Sequence, residues 1–159
     1  MPGSGKSTLC ALLKSMGFSI IRFGDATIKE LEKRGLSKTE KNEKLIRHQL
    51  RKELGQGAYA LLWKDELLKK LALKEKIVID GIYSFEEVQI LRQEFLDFRL
   101  LSVLASPFVR YKRLKTREIR PLTLEEAIAR DLDEVANLNK GGSIAMADYY
   151  LINHGSVID

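Results

Sequence analysis

Close to its start the chain reads Pro2-Gly3-Ser4-Gly5-Lys6-Ser7-Thr8, and no other stretch restricts the fold as tightly. Glycines here let successive backbone N–H groups converge on one anionic centre, and a helix begun at Lys6 turns its positive dipole end to the same point. This is the x-x-x-G-K-[ST] end of a phosphate-binding Walker A loop, without its leading Gly. On that reading Gly3, Ser4, Gly5, Lys6, Ser7 and Thr8 cradle the phosphates of ATP, Lys6 reaches the β- and γ-phosphates, and the Ser7 hydroxyl ligates Mg²⁺. A flexible Gly/Ser-rich terminus is the competing reading. Leu9, Leu12 and Leu13 argue against it, because their spacing predicts a helix from 6 to about 16. Such a loop follows a strand whose end fixes where the phosphates lie. The expectation is therefore that about ten residues upstream, an apolar strand plus the first Gly, are missing from this chain.

Downstream, short β-rich runs alternate with longer helical patterns, as in a parallel sheet with crossover helices. The predicted strands are 18–23, 76–82, 98–104 and 149–153, each dominated by Ile, Val, Leu, Phe or Tyr. Helix starts are marked by capping boxes at Ser37/Glu40, Ser84/Glu87 and Thr123/Glu126, and by Ser106-Pro107. The fold class is α/β, a three-layer P-loop architecture. With 159 residues, 45% hydrophobic, one domain suffices and needs no staple. The lone Cys10 excludes an internal disulfide, and two histidines offer no metal cluster. Apolar stretches such as 100–105 fall far short of the roughly 18–20 residues that cross a bilayer, and no signal-peptide h-region follows Met1. The expectation is a soluble cytoplasmic protein. A net charge of +5 favours an anionic partner, but no aromatic-interleaved basic platform points to nucleic acid.

Val78-Ile79-Asp80-Gly81 is an apolar strand ending in an acid, which beside a phosphate loop places Asp80 as a second Mg²⁺ ligand; alone it is also an ordinary strand-to-turn ending. Residues 79–84 with Glu86-Glu87-Val88 resemble the Asp-Gly-Phe-Pro-Arg segment of adenylate kinases. Arg22-Phe23-Gly24-Asp25 resembles the Gly-Asp-Leu-Leu-Arg approach to their monophosphate site. Residues 102–107 followed by Arg113-Leu114-Lys115-Thr116-Arg117 resemble their lid approach, and the tail from Met146 to Ser156 is similar to dephospho-CoA kinase. The whole pattern is closest to an archaeal group of adenylate-kinase-related proteins. The resemblance implies a sheet order of 2-3-1-4-5 and a single domain over 1–159. It implies acceptor-binding helices at about 25–73 and a short lid at about 110–130. It also implies Gly24, Asp25, Gly81 and Tyr83 around an AMP-like acceptor. The arginine those kinases carry after the Asp-Gly turn is here Tyr83-Ser84, so Arg47 and Arg51, one helical turn apart, are candidates for the phosphate grip or else a solvated basic face.

Asp25 reads as an orienter of the acceptor, as a base for its hydroxyl, or simply as the N-cap of the next helix. Arg110, Arg113, Arg117 and Arg120 recur at spacings of three, four and three; a closing lid needs such donors, and by resemblance Arg113 and Arg117 are the catalytic ones. Arg130 would complete the cluster, with Asp131 and Glu134 otherwise paired to surface lysines. The resemblance implies that residues 153–156 flank the adenine, and a plain turn is the alternative. Asn139-Lys140-Gly141-Gly142 lacks the acid that would hold guanine. The sequence thus points to a kinase passing the γ-phosphoryl group of Mg·ATP to a nucleotide monophosphate or related acceptor, with a non-catalytic ATP/AMP-binding regulator as the alternative.

Overall fold

The computed structural model describes residues 1–118 and 121–155. Gly5 (φ 100°) makes the left-handed turn out of the loop into helix α1 (Lys6–Ser15), and Gly17 (φ 87°) makes the one that follows it. The chain continues through β1 (Ser19–Arg22), α2 (Asp25–Lys33), α3 (Glu40–Leu54), α4 (Ala58–Ala72), β2 (Ile77–Asp80) and α5 (Phe85–Glu94). It ends with β3 (Leu101–Leu104), α6 (Pro107–Thr116), α7 (Leu124–Ala136), α8 (Lys140–Ala145) and β4 (Tyr149–Ile152). All four strands fall inside the runs expected from β-branched and aromatic content. No helix among the described residues is long and apolar enough to cross a membrane.

β1 pairs with β2 in parallel from Ser19↔Ile77 to Arg22↔Asp80, and β3 pairs with β4 in parallel from Leu101↔Tyr149 to Leu104↔Ile152. Among the described residues these are two separate two-stranded sheets, β1-β2 and β3-β4, not one continuous sheet. A cavity of about 890 Å³ separates them, lined by Leu9 and Cys10 of α1, Val78 and Ile79 of β2, and Leu101 and Val103 of β3. Cys10, expected as a small core residue, is buried at its wall.

The main core lies under the first sheet. Phe23, Leu31, Ile46, Tyr59, Trp63 and Leu91 pack together there. The Trp63 indole N–H donates to the Phe23 carbonyl at 3.3 Å. On the stripe expected to be buried, Tyr59 and Trp63 are inside, whereas Leu62 turns outward and is 44% exposed. The capping boxes at Ser84/Glu87 and Thr123/Glu126 both form, and Ser106 caps α6 with Pro107 in its first turn. The N-cap of α3 is Thr39 and not the expected Ser37. Thr39, with extended backbone, caps α3 by accepting from the Asn42 amide at 3.3 Å, while the Asn42 side chain donates to the Ser37 carbonyl at 2.8 Å. Two hydroxyls compete for one helix end, and the nearer one wins.

Candidate active site

The loop is tied down through its carbonyls. Arg110 donates to the Pro2 carbonyl at 3.1 Å, Arg113 to that of Gly3 at 3.4 Å, and the Asn153 side-chain amide to that of Ser4 at 2.9 Å. The amides of Gly3, Ser4, Gly5, Lys6 and Ser7 donate to no acceptor among the described residues. Five uncommitted donors beside a helix N-terminus make a receptor for an anion. Two positions admit only glycine. A Cβ at Gly3 would sit 2.8 Å from the Arg110 carbonyl oxygen, and one at Gly5 would sit 2.2 Å from the Asn153 amide nitrogen, both at positive φ.

The Lys6 ammonium donates to the Met1 carbonyl at 2.8 Å. Burial, and then the charge of Lys140, pull its pKa down to about 8, against the opposing pull of Glu134 and Asp80. Asp80 ends β2 with its carboxylate mostly buried, and its ion pair, with the exposed Arg22, is loose at 3.8 Å. Ser7 and Thr8 are exposed in the first turn of α1. Among the described residues no cluster of three or more His, Cys, Asp or Glu forms a ready cation cage.

On the acceptor side, Gly81 (φ 94°) folds the chain so that the Tyr83 ring lies back over the Asp80-Gly81 turn. A Cβ at Gly81 would meet the Tyr83 hydroxyl at 3.1 Å, and one at Gly24 would meet it at 3.7 Å. Gly24, Gly81 and Tyr83 are thus brought together. Burial, followed by Asp80 and Glu134, raises the Tyr83 phenol to about 12, so it remains a proton donor at neutral pH. Arg51 is one step removed. Its guanidinium lies 5.0 Å from the Tyr59 ring, whose centroid is 6.3 Å from that of Tyr83, and its Nε is buried without a partner among the described residues. Asp25 is exposed at the start of α2, where the N-cap is Gly24 and no side chain caps. The capping alternative for Asp25 is therefore corrected.

A family model described as an AAA domain matches residues 1–135. The UPF0200 protein PYRAB09750 of Pyrococcus abyssi is 36% identical over 98% of this chain and 85% of its own length. The UPF0200 protein TK1334 of Thermococcus kodakarensis is 39% identical over 98% and 86%, and PAE1629 of Pyrobaculum aerophilum is 35% identical over 100% and 87%. The chain belongs to the UPF0200 family. The crystal structure of TT1252 from Thermus thermophilus shares the fold of this UPF0200 chain, with a TM-score of 0.58 at 21% identity over 98% of this chain and 86% of that one. Parallel strands, crossover helices and the loop at residues 2–8 make it an α/β P-loop protein.

The basic stripe of the UPF0200 chain does not stay on one solvated face. Arg110 is buried and paired with Asp131, which it meets at 2.9 Å through Nη1 and more closely through Nη2. The Tyr111 hydroxyl donates to the same carboxylate at 2.9 Å. Arg113 is spent on backbone carbonyls, those of Asn153 at 3.1 Å and Gly155 at 2.5 Å besides Gly3. Arg117 caps the end of α6 through its amide, which donates to the Arg113 carbonyl at 3.1 Å. Arg120 and Ser156 lie outside the described residues. Asp131 and Glu134, expected to pair with surface lysines, are both buried. Glu134 is shared between Arg130 at 3.5 Å and a buried Lys140 in direct contact with it.

Lys140 is the residue sequence reasoning missed. Its ammonium lies 5.2 Å from the Tyr83 ring centroid, and with Ser143 it lines the cavity beside Lys6, Asp80 and Gly81. Glu134 and Lys140 are six residues apart, across the break between α7 and α8, a separation no helical or strand period flags.

Proposed function

We propose that this protein is an ATP-dependent phosphotransferase that passes the γ-phosphoryl group to a nucleotide monophosphate such as AMP, or to a related nucleotide-like acceptor. One observation carries the reading: five free loop amides and Lys6 stand at the same end of β2 as a mostly buried Asp80 whose ion pair is loose. Phosphoryl transfer asks a protein chiefly for positioning and for compensation of charge on the moving group, and these residues supply both.

The residues fit Mg²⁺ held with ATP. Ser7 presents a hydroxyl from the first turn of α1, and Asp80 offers a carboxylate that its exposed arginine partner does not saturate. Ser7 and Asp80 would hold the ion, which would supply compensation for negative charge building on the phosphates. The chain's own part is to orient. Loop amides grip the donor phosphates, and the Lys6 ammonium exchanges the Met1 carbonyl for a phosphate oxygen. Tyr83 donates a hydrogen bond between Gly24 and Gly81, where the acceptor would lie. Asp25, exposed beside that place, is the group to orient the acceptor or take its proton.

The slot between β2 and β3, apolar along its walls, has the form of a berth for one more parallel strand. A strand there would join the two sheets in the order 2-3-1-4-5 that the resemblance to adenylate kinases implies. A buried single cysteine supports work in a reducing compartment such as the cytoplasm.

A non-catalytic ATP/AMP-binding regulator is the second reading, favoured by Arg113, whose donors are spent on backbone carbonyls. Turnover separates the two. With Mg·ATP and AMP, CMP, UMP, GMP, dAMP or dephospho-CoA, one acceptor should stimulate ADP release, and Lys6→Ala should lower that rate by about 10²-fold or more. Nucleotide binding with no acceptor-dependent ADP would decide for the regulator.

A further inference from the structure

Lys140 is only 6% exposed, an unusual place for an ammonium. Its partner Glu134 also serves Arg130, so one carboxylate answers two cations. Lys6 stands in the same field, close enough for Lys140 to depress its pKa. Opposite Lys6, Lys140 and the half-exposed Arg130 stand Asp80 and Glu134, with the buried Glu87 also in reach of Lys140. A buried cation whose carboxylate partner is shared stays costly unless a further acceptor completes its set.

A second observation points to a ligand. Ser143 is 6% exposed, lines the same cavity, and its hydroxyl has no hydrogen-bond partner among the described residues. One turn of α8 separates it from Lys140, so both side chains present to one place. The backbone holds them there, because Gly142 packs so closely on Phe85 that a Cβ would lie 3.1 Å from its ring. A structural ion pair alone accounts for Lys140 and Glu134 but leaves the Ser143 hydroxyl stranded.

We propose that Lys140 and Ser143 of α8, backed by Glu134 and flanked by the Tyr83 ring, form the subsite that holds the phosphate of a phosphomonoester acceptor. The proposal rests on the loop being the ATP site. It deepens that reading by naming the residues that recognise the second substrate's phosphate and not its base. Glu134, in direct contact with the Lys140 ammonium, fixes its direction. Tyr83 walls the subsite and leaves its ring face to the cation at 5.2 Å.

The test compares AMP with adenosine, which lacks only the phosphate, by calorimetric titration. Ser143→Ala removes an uncommitted hydroxyl without touching the ion pair, and Lys140→Met with Glu134→Gln neutralises the pair together so that no lone charge stays buried. The parent should bind AMP at least about tenfold more tightly than adenosine. The double variant should lose that advantage and Ser143→Ala should lose several-fold of it, while adenosine and Mg·ATP affinities stay within about twofold. Lys6→Ala should show the opposite pattern, losing Mg·ATP. An unchanged AMP-to-adenosine ratio in both α8 variants overturns the subsite, as does a parent that binds Mg·ATP but does not distinguish AMP from adenosine. A parent that fails to bind Mg·ATP overturns the ATP-site reading as well, so the two failures are told apart.

Discussion

Gly5 is the residue with least latitude in the loop, since it combines φ of 100° with an Asn153 amide 2.2 Å from where a Cβ would stand. Gly5→Ala must either push Asn153 off the Ser4 carbonyl or strain the turn. The expected outcome is a loss of nucleotide affinity of about tenfold or more, read by titration with ATP. Glu87 offers a different test. Its carboxylate accepts from the Tyr83 amide at 2.7 Å and the Ser84 amide at 3.3 Å, and its other oxygen is buried without a partner among the described residues. Burial raises its pKa from 4.5 to about 7, opposed by the two amides, by Arg51 from α3 and by Lys140 from α8. The folded state therefore holds a proton that the unfolded state releases between those two values. The stabilisation from protonated Glu87 is fully present below pH 4.5 and is lost as pH rises to about 7, on the order of 3 kcal/mol. Unfolding free energies from urea titrations at pH 5 and pH 8 should differ by about that much more in the parent than in Glu87→Gln, which cannot titrate. Equal pH dependence in the two would mean that Glu87 is ionised throughout.

Among the elements, α6 and α7 are joined by a contact that also reaches the loop. Arg110 of α6 pairs with the buried Asp131 of α7 and donates to the Pro2 carbonyl. Its location explains why a stripe of arginines at helical spacing need not be a solvated face. The same periodicity serves a helix whose basic side is packed. Removing one partner leaves an uncompensated charge, so Arg110→Met should cost about 3–5 kcal/mol in chemical denaturation, and adding Asp131→Leu should recover most of it. No recovery would mean that the bond to Pro2, not the ion pair, carries the stability. Caps were readable where one hydroxyl stands before a helix, as at Ser84 and Thr123. They were misread at Ser37, where Thr39 offered a closer alternative.

At the scale of the whole molecule, the decisive feature is the apolar slot between the two half-sheets. Among the described residues the edges of β2 and β3 that face one another across about 890 Å³ are unpaired, and unpaired edges attract a strand. Fusing an extended apolar segment of about five residues ahead of Met1 should bridge them, raising the melting temperature by roughly 5 °C or more. An unchanged melting temperature would mean that the slot does not accept a strand. The sequence by itself determined the local features: the loop glycines, the four strands, the α/β alternation, Asp80 at a strand end, and the Gly24 and Gly81 turns. Each is written in contiguous residues through backbone freedom or side-chain period. Tertiary structure alone decided the partners. It joined Arg110 to Asp131 and turned Arg113 onto backbone carbonyls. It set Glu134 and Lys140 against Tyr83 and split the strands into two pairs around a cavity. Long-range pairs leave no period in the sequence, because which buried charge meets which depends on how helices pack and where low polarity makes an unpaired charge too costly.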